Sequence, residues 1–438
     1  MNNLRSSLFT TLGLVGIAGT ASANSFNINE HDARVTGRGG ATAASNDDAS
    51  AIVFNPGGLA LTEGTTINLG GSLYIAEGSY ENANTPKVTT DSPPAPVPNL
   101  YVASRLNDMV AVGIGFHLPF GLAVSYPENH PQATVAQDTS LRTLFISPTV
   151  GLNLHKQVPG LSIGAGVDIV PASVELKRAV VFGDTRGSVD LAADTVGFGF
   201  RAGVMYHPPA AKGLKLGMMY RNAVKLDFEG QADFDIADPY RAQLPPDGDA
   251  STTINLPMAI SGGVAYSPVG NLELELNAVW INWAKTFSKD ANRGGDATSL
   301  TIKLPGGGTS DAPEDYQNTV SYRLGLDYKL PKQNMNLRAG FIYDPSPIPT
   351  TTQTAQLPDV NRIALTIGGS KQVSPTLGVH FSALWVTPGT RDSSSDPAIP
   401  IFHGTYGVQA LVLSIGLTGQ FGATTKPAPV GAPSVATN

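Results

Sequence analysis

From Thr65 onward, apolar and polar positions alternate with period two in segment after segment. In LELELNAVW, Leu272, Leu274, Leu276, Ala278 and Trp280 fall on one face, with Glu273, Glu275 and Asn277 on the other. SYRLGLDYKL sets Tyr322, Leu324, Leu326 and Tyr328 against Arg323, Asp327 and Lys329. MNLRAGFIY sets Leu337, Ala339, Phe341 and Tyr343 against Asn336, Arg338 and Gly340. Successive side chains of a strand point to opposite faces, so each segment predicts a strand with one apolar and one polar side. Fourteen such segments are expected: 65–77, 96–106, 109–119, 141–156, 161–177, 190–207, 213–230, 252–267, 271–286, 316–330, 334–344, 360–373, 376–388 and 403–421. Many are longer than the strands of soluble sheets.

The connections alternate too. Short links (LND, KQVPG, HPPAAKG, SPVG, LPKQ, VSP) follow the even segments, and long links rich in Pro, Asp, Asn and Thr follow the odd ones. An even number of antiparallel strands with short turns at one end and long loops at the other predicts an all-β, 14-stranded transmembrane barrel spanning residues 65–421. Closure is required because every backbone N–H and C=O facing lipid must be paired internally. Tyr206, Tyr220, Trp280, Trp283, Tyr328, Tyr343 and Trp385 suit interfacial aromatic girdles, with core packing an equal reading for each.

Composition narrows the class. The 438 residues carry only 14% charged side chains, 48 Gly, 33 Pro and no Cys. Thiolate chemistry and disulfides are excluded, and a net charge of −7 gives no electrostatic ground for nucleic-acid binding. The N-terminus reads as a signal peptide over 1–23: Arg5, the apolar run Leu8–Gly19, then Ala21-Ser22-Ala23 as a cleavage site. This places the protein in the outer membrane of a Gram-negative bacterium. The tail 422–438 reads as disordered and periplasmic.

Residues 24–64 do not alternate and hold too little apolar surface to fold alone. A barrel of this size leaves a lumen unless something fills it, so the segment reads as a plug, with short helical turns over 41–51 capped by Asn46 or Asp47. SFNINEHDARVTGRGGATAASNDDASAIVFNPGGLA resembles the N-terminal hatch of the FadL/TodX family of outer-membrane transporters for hydrophobic compounds. The resemblance rests on Phe26, Asn29-Glu30, Gly37-Arg38, Asp47-Asp48-Ala49-Ser50 and Asn55-Pro56. It departs at Gly57, where the family has Ala. LPFGLAVSYP, LRAGFIYDPSPIP, LPDVNRIALTIGGS and the closing strand to Phe421 are similar to further family blocks, so the likeness covers nearly the whole mature chain.

The resemblance implies passive uptake of long-chain fatty acids or hydrocarbons: capture among extracellular loops, an interior pocket, a hatch rearrangement, and lateral exit at a kink in the third strand. The matching stretch VAVGIGFHLPFG holds Gly113, Gly115 and Pro119, residue types that favour a bulge. Leu118, Phe120 and Leu122 are candidates to line the capture groove. Among inward charges, Arg338 and then Arg323 are the candidates to hold a fatty-acid carboxylate, which charge-assisted bonds suit. No nucleophile, phosphate-loop or metal-ligand motif stands out, so no enzymatic activity, cofactor or metal is expected. The expected partners are a hydrophobic substrate, outer-membrane lipid and lipopolysaccharide, and the barrel assembly machinery, with a monomeric state. The alternative is a general diffusion porin for polar solutes.

Overall fold

Alternation along the chain becomes a closed wall in the computed structural model, which describes residues 26–288, 301–311, 315–394 and 403–422. The expected signal peptide lies outside the described residues, as does the tail beyond Gly422. The fourteen strands are Thr65–Asn82, Ala95–Arg105, Val110–His117 continued by Gly121–Ser125, Asp138–Thr143 with Phe145–Asn153, Leu161–Phe182, Thr185–Tyr206, Leu214–Arg221 with Val224–Asp235, Gly248–Leu256 with Ala259–Val269, Leu272–Ile281, Thr319–Leu330, Met335–Asp344, Arg362–Ser374, Leu377–Asp392 and Thr405–Phe421. Three short strands, Thr85–Thr89, Thr301–Lys303 and Thr309–Asp311, lie in loops. Consecutive strands pair antiparallel, and the first strand closes on the last from Thr65↔Phe421 to Glu81↔Thr405. Closure removes the sheet edge that hydrocarbon does not tolerate.

The outer face is bare and apolar: Leu69, Leu73 and Ile75 stand beside Leu411, Leu413 and Ile415, the last of them 64% exposed. The fifth and sixth strands run 22 residues each. That exceeds the roughly ten residues a tilted strand needs to cross a bilayer, so their hairpin projects beyond the membrane. The ninth strand stops earlier than expected, at Ile281. Asn282 accepts from Lys285 N and starts a helical turn, Trp283–Phe287, that carries Trp283 into the lumen. Trp283 is fully buried at 0% exposure and belongs to no interfacial girdle.

Residues 26–64 pack inside the barrel. The helical turn Ala33–Gly37 is capped by Asp32, whose side chain accepts from Arg34 N and Val35 N. The expected caps are not used as such: Asn46 bonds Ser50, and Asp47 is exposed. After the turn Ala51–Phe54, Asn55 adopts an extended conformation and accepts from Gly57 N, and Pro56 opens the 3-10 turn Pro56–Leu61. NPGG is thus a capped helix start, with Pro where its missing N–H is harmless.

Backbone presses on backbone at this junction. Asn55 Nδ2 donates to Ala43 O at 2.6 Å and to Val204 O of the sixth strand at 3.1 Å. A Cβ on Gly57 would lie 2.9 Å from Met205 N, so this chain's hatch seats where an alanine has no room without a backbone shift. Wall glycines return the fit: a Cβ on Gly164, Gly203 or Gly217 would collide with Pro56 O, Asn55 Oδ1 or Ala43 O respectively. Gly217→Val is therefore expected to unseat the hatch, lowering the thermal transition of the folded barrel by several degrees and exposing the hatch to protease. Gly262→Val, on the partner strand where an added Cβ meets nothing within 4 Å, is expected to leave both unchanged or improve stability.

Candidate functional site

The third strand leaves the wall after His117. Its ladder with the second strand runs from Arg105↔Ala111 to Leu100↔Phe116 and ends there. Leu118, Pro119 and Phe120 turn inward and meet the start of the hatch: Ile28 N donates to Pro119 O at 2.8 Å, Gly121 N donates to Phe26 O at 3.0 Å, and Asn27 bridges Phe120. The strand resumes at Gly121 against the fourth strand, Gly121↔Arg142. Gly113 and Gly115 are not the kink. Both sit in unbroken ladders, opposite Ala103 and Tyr101 on one side and Thr149 and Ser147 on the other. Their missing side chains instead make room for Ile52 of the hatch, 2.8 and 3.0 Å from where a Cβ would stand. Pro119 does lie in the break, where its lack of an N–H costs nothing.

Behind the kink, the outer half of the lumen is apolar. Phe26 is its hub, with ring centroids 5.3 Å from Trp283, 5.4 Å from Phe287 and 5.8 Å from Phe120. Leu118, Phe120 and Leu122 are buried here and do not line the outer surface. Leu118 belongs to one buried apolar cluster with Ile28, Ala95 and Val97, while Leu122 joins the Phe26 cluster. A half-enclosed, mainly apolar groove of about 110 Å³ lies between the projecting strands and a loop, lined by Val174, Leu176, Leu191, Ile254 and Ile302 with Arg178 and Gln231.

The inward charges are mostly spoken for. Arg338 donates to Asp327 at 2.6 Å and to Ser370, so it braces the wall. Arg323 pairs with Glu30 of the hatch at 3.3 Å. Arg38 reaches Glu273 at 3.1 Å and Glu275 at 3.4 Å, and Glu275 also accepts from Ala44 N at 2.8 Å. Arg34 pairs with Asp48 within the hatch. Thus Glu30, Arg38 and Gly37 tie the hatch to the wall, the last through Thr366, which donates to Gly37 O at 3.1 Å, while Asp48 braces the hatch internally. Asn29 lines the interior cavity described below.

Arg201, absent from the expected set, is 1% exposed and donates to Asp168 at 2.6 Å, with further contacts to Ile52 O, Val53 O and Ser147. His31 lies close by, its Nδ1 2.8 Å from Tyr101 Oη and its ring stacked on Phe54. Burial, then the charges of Arg201 and Arg221, push the His31 pKa down to about 3, so the ring is neutral at physiological pH.

Arg221 is the exception. It is 8% exposed, and among the described residues it has no acidic partner within ion-pair distance and no recorded hydrogen bond. Its Nε is buried without a partner. Its cross-strand neighbours are Arg201 and Ala259, and Arg201 takes Asp168, so two adjacent guanidiniums share one carboxylate. The Arg221 guanidinium lies over the Phe120 ring, 4.7 Å from its centroid. It borders a cavity of about 50 Å³ that also meets Phe54, Met219, Val279, Ile281 and Arg323. The volume suits a carboxylate head, and a longer chain must displace apolar neighbours. The alternation places Arg221 inward, but only the strand register shows that no acid lies opposite. Among the described residues, no cluster of His, Asp or Glu has metal-ligand geometry.

The profile of the family described as "Outer membrane protein transport protein (OMPP1/FadL/TodX)" matches residues 14–421. The chain is similar to the long-chain fatty acid transport protein of Salmonella typhi, 26% identical over 396 residues, covering 81% of this chain and 86% of that protein. Its fold is similar to the crystal structure of a Pseudomonas aeruginosa FadL homologue, with a TM-score of 0.77 at 19% identity over 91% of this chain and all of that one. It is also similar to the Pseudomonas putida toluene transporter TodX, with a TM-score of 0.69 at 18% identity over 90% of this chain and 99% of that one.

Proposed function

Because the chain belongs to the OMPP1/FadL/TodX family of outer membrane transport proteins, we propose that it carries hydrophobic small molecules with an anionic head, long-chain fatty acids foremost, passively across the outer membrane. The observation that carries this reading is an apolar lumen ending on a buried guanidinium without a carboxylate partner. A substrate enters at the groove of Val174, Leu176, Leu191 and Ile254. It passes into the lumen, where its head sits at Arg221 and its chain displaces Phe26 from Trp283 and Phe287. Loss of Phe26 frees the Phe26–Ile28 segment from Pro119 and Gly121, because those backbone bonds are the hatch's hold on the kink. The chain then leaves sideways between the second and third strands into the membrane, avoiding water throughout.

The lumen filled by hatch and aromatic side chains speaks against a diffusion porin. In the same reading the protein is a carrier and not an enzyme, needs no cofactor, works as a monomer among lipopolysaccharide, and reaches its place through the barrel assembly machinery. The test is growth of a deletion strain, with and without the gene restored, on fatty acids, alkanes and monoaromatics as limiting carbon source. Restoration of growth on fatty acids alone is expected, with no sugar-driven swelling of reconstituted liposomes. Restoration on neutral hydrocarbons alone would overturn the assignment of the anionic head.

A further inference from the structure

The second strand faces the kink with an unusual composition: SPPAPVPNL places Pro96 and Pro98 inside the strand Ala95–Arg105. The direction of their backbone groups follows from two hydrogen bonds at the strand's end. Arg105 N donates to Gly64 O, on the first-strand side, and Leu106 N donates to Val110 O, on the third-strand side. Backbone groups alternate sides along an antiparallel strand. Odd residues of this strand therefore address the first strand, while Leu100, Pro98 and Pro96 address the third.

Leu100 is the last residue to find a third-strand partner, Phe116. Above it, among the described residues, no ladder pair joins Ala95–Asn99 to the third strand. Hydrogen bonding between the two strands resumes where Asp91 N donates to Ser125 O at 3.0 Å and Ser125 N donates to Ser92 Oγ at 2.9 Å. The unpaired stretch is about 16 Å long at about 3.3 Å per residue. Its height in the membrane is set by register: Pro96 pairs with Leu73 and Pro98 with Gly71, themselves beside Leu413 and Ile415 in the apolar belt. At both positions where an ordinary residue would point an unpaired N–H into hydrocarbon, the chain has the one residue without a donor.

We propose that Pro96 and Pro98 form the fixed lip of the lateral opening. They let the second strand stand as an edge inside the membrane, and they prevent a straightened third strand from zipping the gap shut. The wall opening is then permanent, and closure rests on the apolar cluster behind it, which includes Ile28, Leu118 and Val97. This rests on the lateral-exit reading, from which it is separable by experiment.

The variant is Pro96→Val with Pro98→Val, which restores two donors in a residue suited to strands. Uptake of radiolabelled palmitate by cells is expected to fall at least tenfold. The barrel should keep its heat-modifiable migration and its fatty-acid binding in detergent, and both new valine amides should resist hydrogen exchange. If the double variant assembles poorly, Pro98→Val alone is expected to show the same changes in smaller measure. In parallel, Val97→Cys with Leu118→Cys is bridged by a short bis-maleimide across the opening. A block by the bridge with wild-type uptake in the valine variants would overturn the lip and keep lateral exit. Undiminished uptake in both would overturn lateral exit itself.

Discussion

Replacing Arg221 by Met is expected to weaken binding of a long-chain fatty acid by about 10- to 100-fold, while toluene or alkane binding stays unchanged. The range corresponds to one charge-assisted contact of about 1.5–3 kcal/mol. The same substitution should stabilise the empty barrel by about 1 kcal/mol, because it removes a buried charge that has no ion-pair partner of its own and lies beside the Arg201 guanidinium. Opposite signs for function and stability are the diagnostic. A wall-bracing arginine such as Arg338, held by Asp327 and Ser370, should lose stability when truncated. Isothermal titration in detergent micelles and thermal unfolding of the same preparations read both effects. Unchanged fatty-acid affinity would remove Arg221 from the binding site.

The largest structural effect is expected at Arg201→Ala. Asp168 is 0% exposed and would lose its ion-pair partner, keeping only the Ser147 hydroxyl and the more distant Arg221, at a cost of up to about 3–5 kcal/mol. The substitution also removes the donors that hold Ile52 O and Val53 O, so the penalty falls on the hatch. Cells carrying the variant should become sensitive to a large antibiotic such as vancomycin, and the hatch should become labile to protease. Arg201→Met combined with Asp168→Leu should recover most of the stability, since an apolar pair of similar volume replaces the ion pair without stranding a charge. If Arg201→Ala stays impermeable and protease-resistant, the pair does not seat the hatch.

These two arginines mark the boundary of what the chain discloses on its own. Leu272–Trp280 or Leu324–Tyr328 announce a strand and its two faces, because strand periodicity is local and survives any register. Link lengths announce the strand count and the two ends of the barrel for the same reason. The stretch Asn55-Pro56-Gly57-Gly58 announces a break, and the residues suffice to recognise a capped turn once its surroundings are known. Which wall it meets is not legible: Gly57 against Met205, or Gly203 against Asn55, is a contact between segments far apart in the chain.

The kink shows the difference most plainly. Gly113 and Gly115 carry the composition of a bulge, yet their ladder is intact, because a glycine in a strand serves equally to bend it or to admit a neighbour. The neighbour, Ile52, decides. Likewise Arg338, Arg323 and Arg221 all read as inward cations. Their fates diverge because cross-strand register gives Arg338 an aspartate, the hatch gives Arg323 a glutamate, and the neighbour of Arg221 is Arg201. By itself the sequence determined a plugged fourteen-stranded outer-membrane barrel, since alternation, turn length and the hatch residues are properties of short stretches. Only the tertiary structure decided which charge is left without a partner and where the wall is open, because pairing is a property of two strands and neither carries it alone.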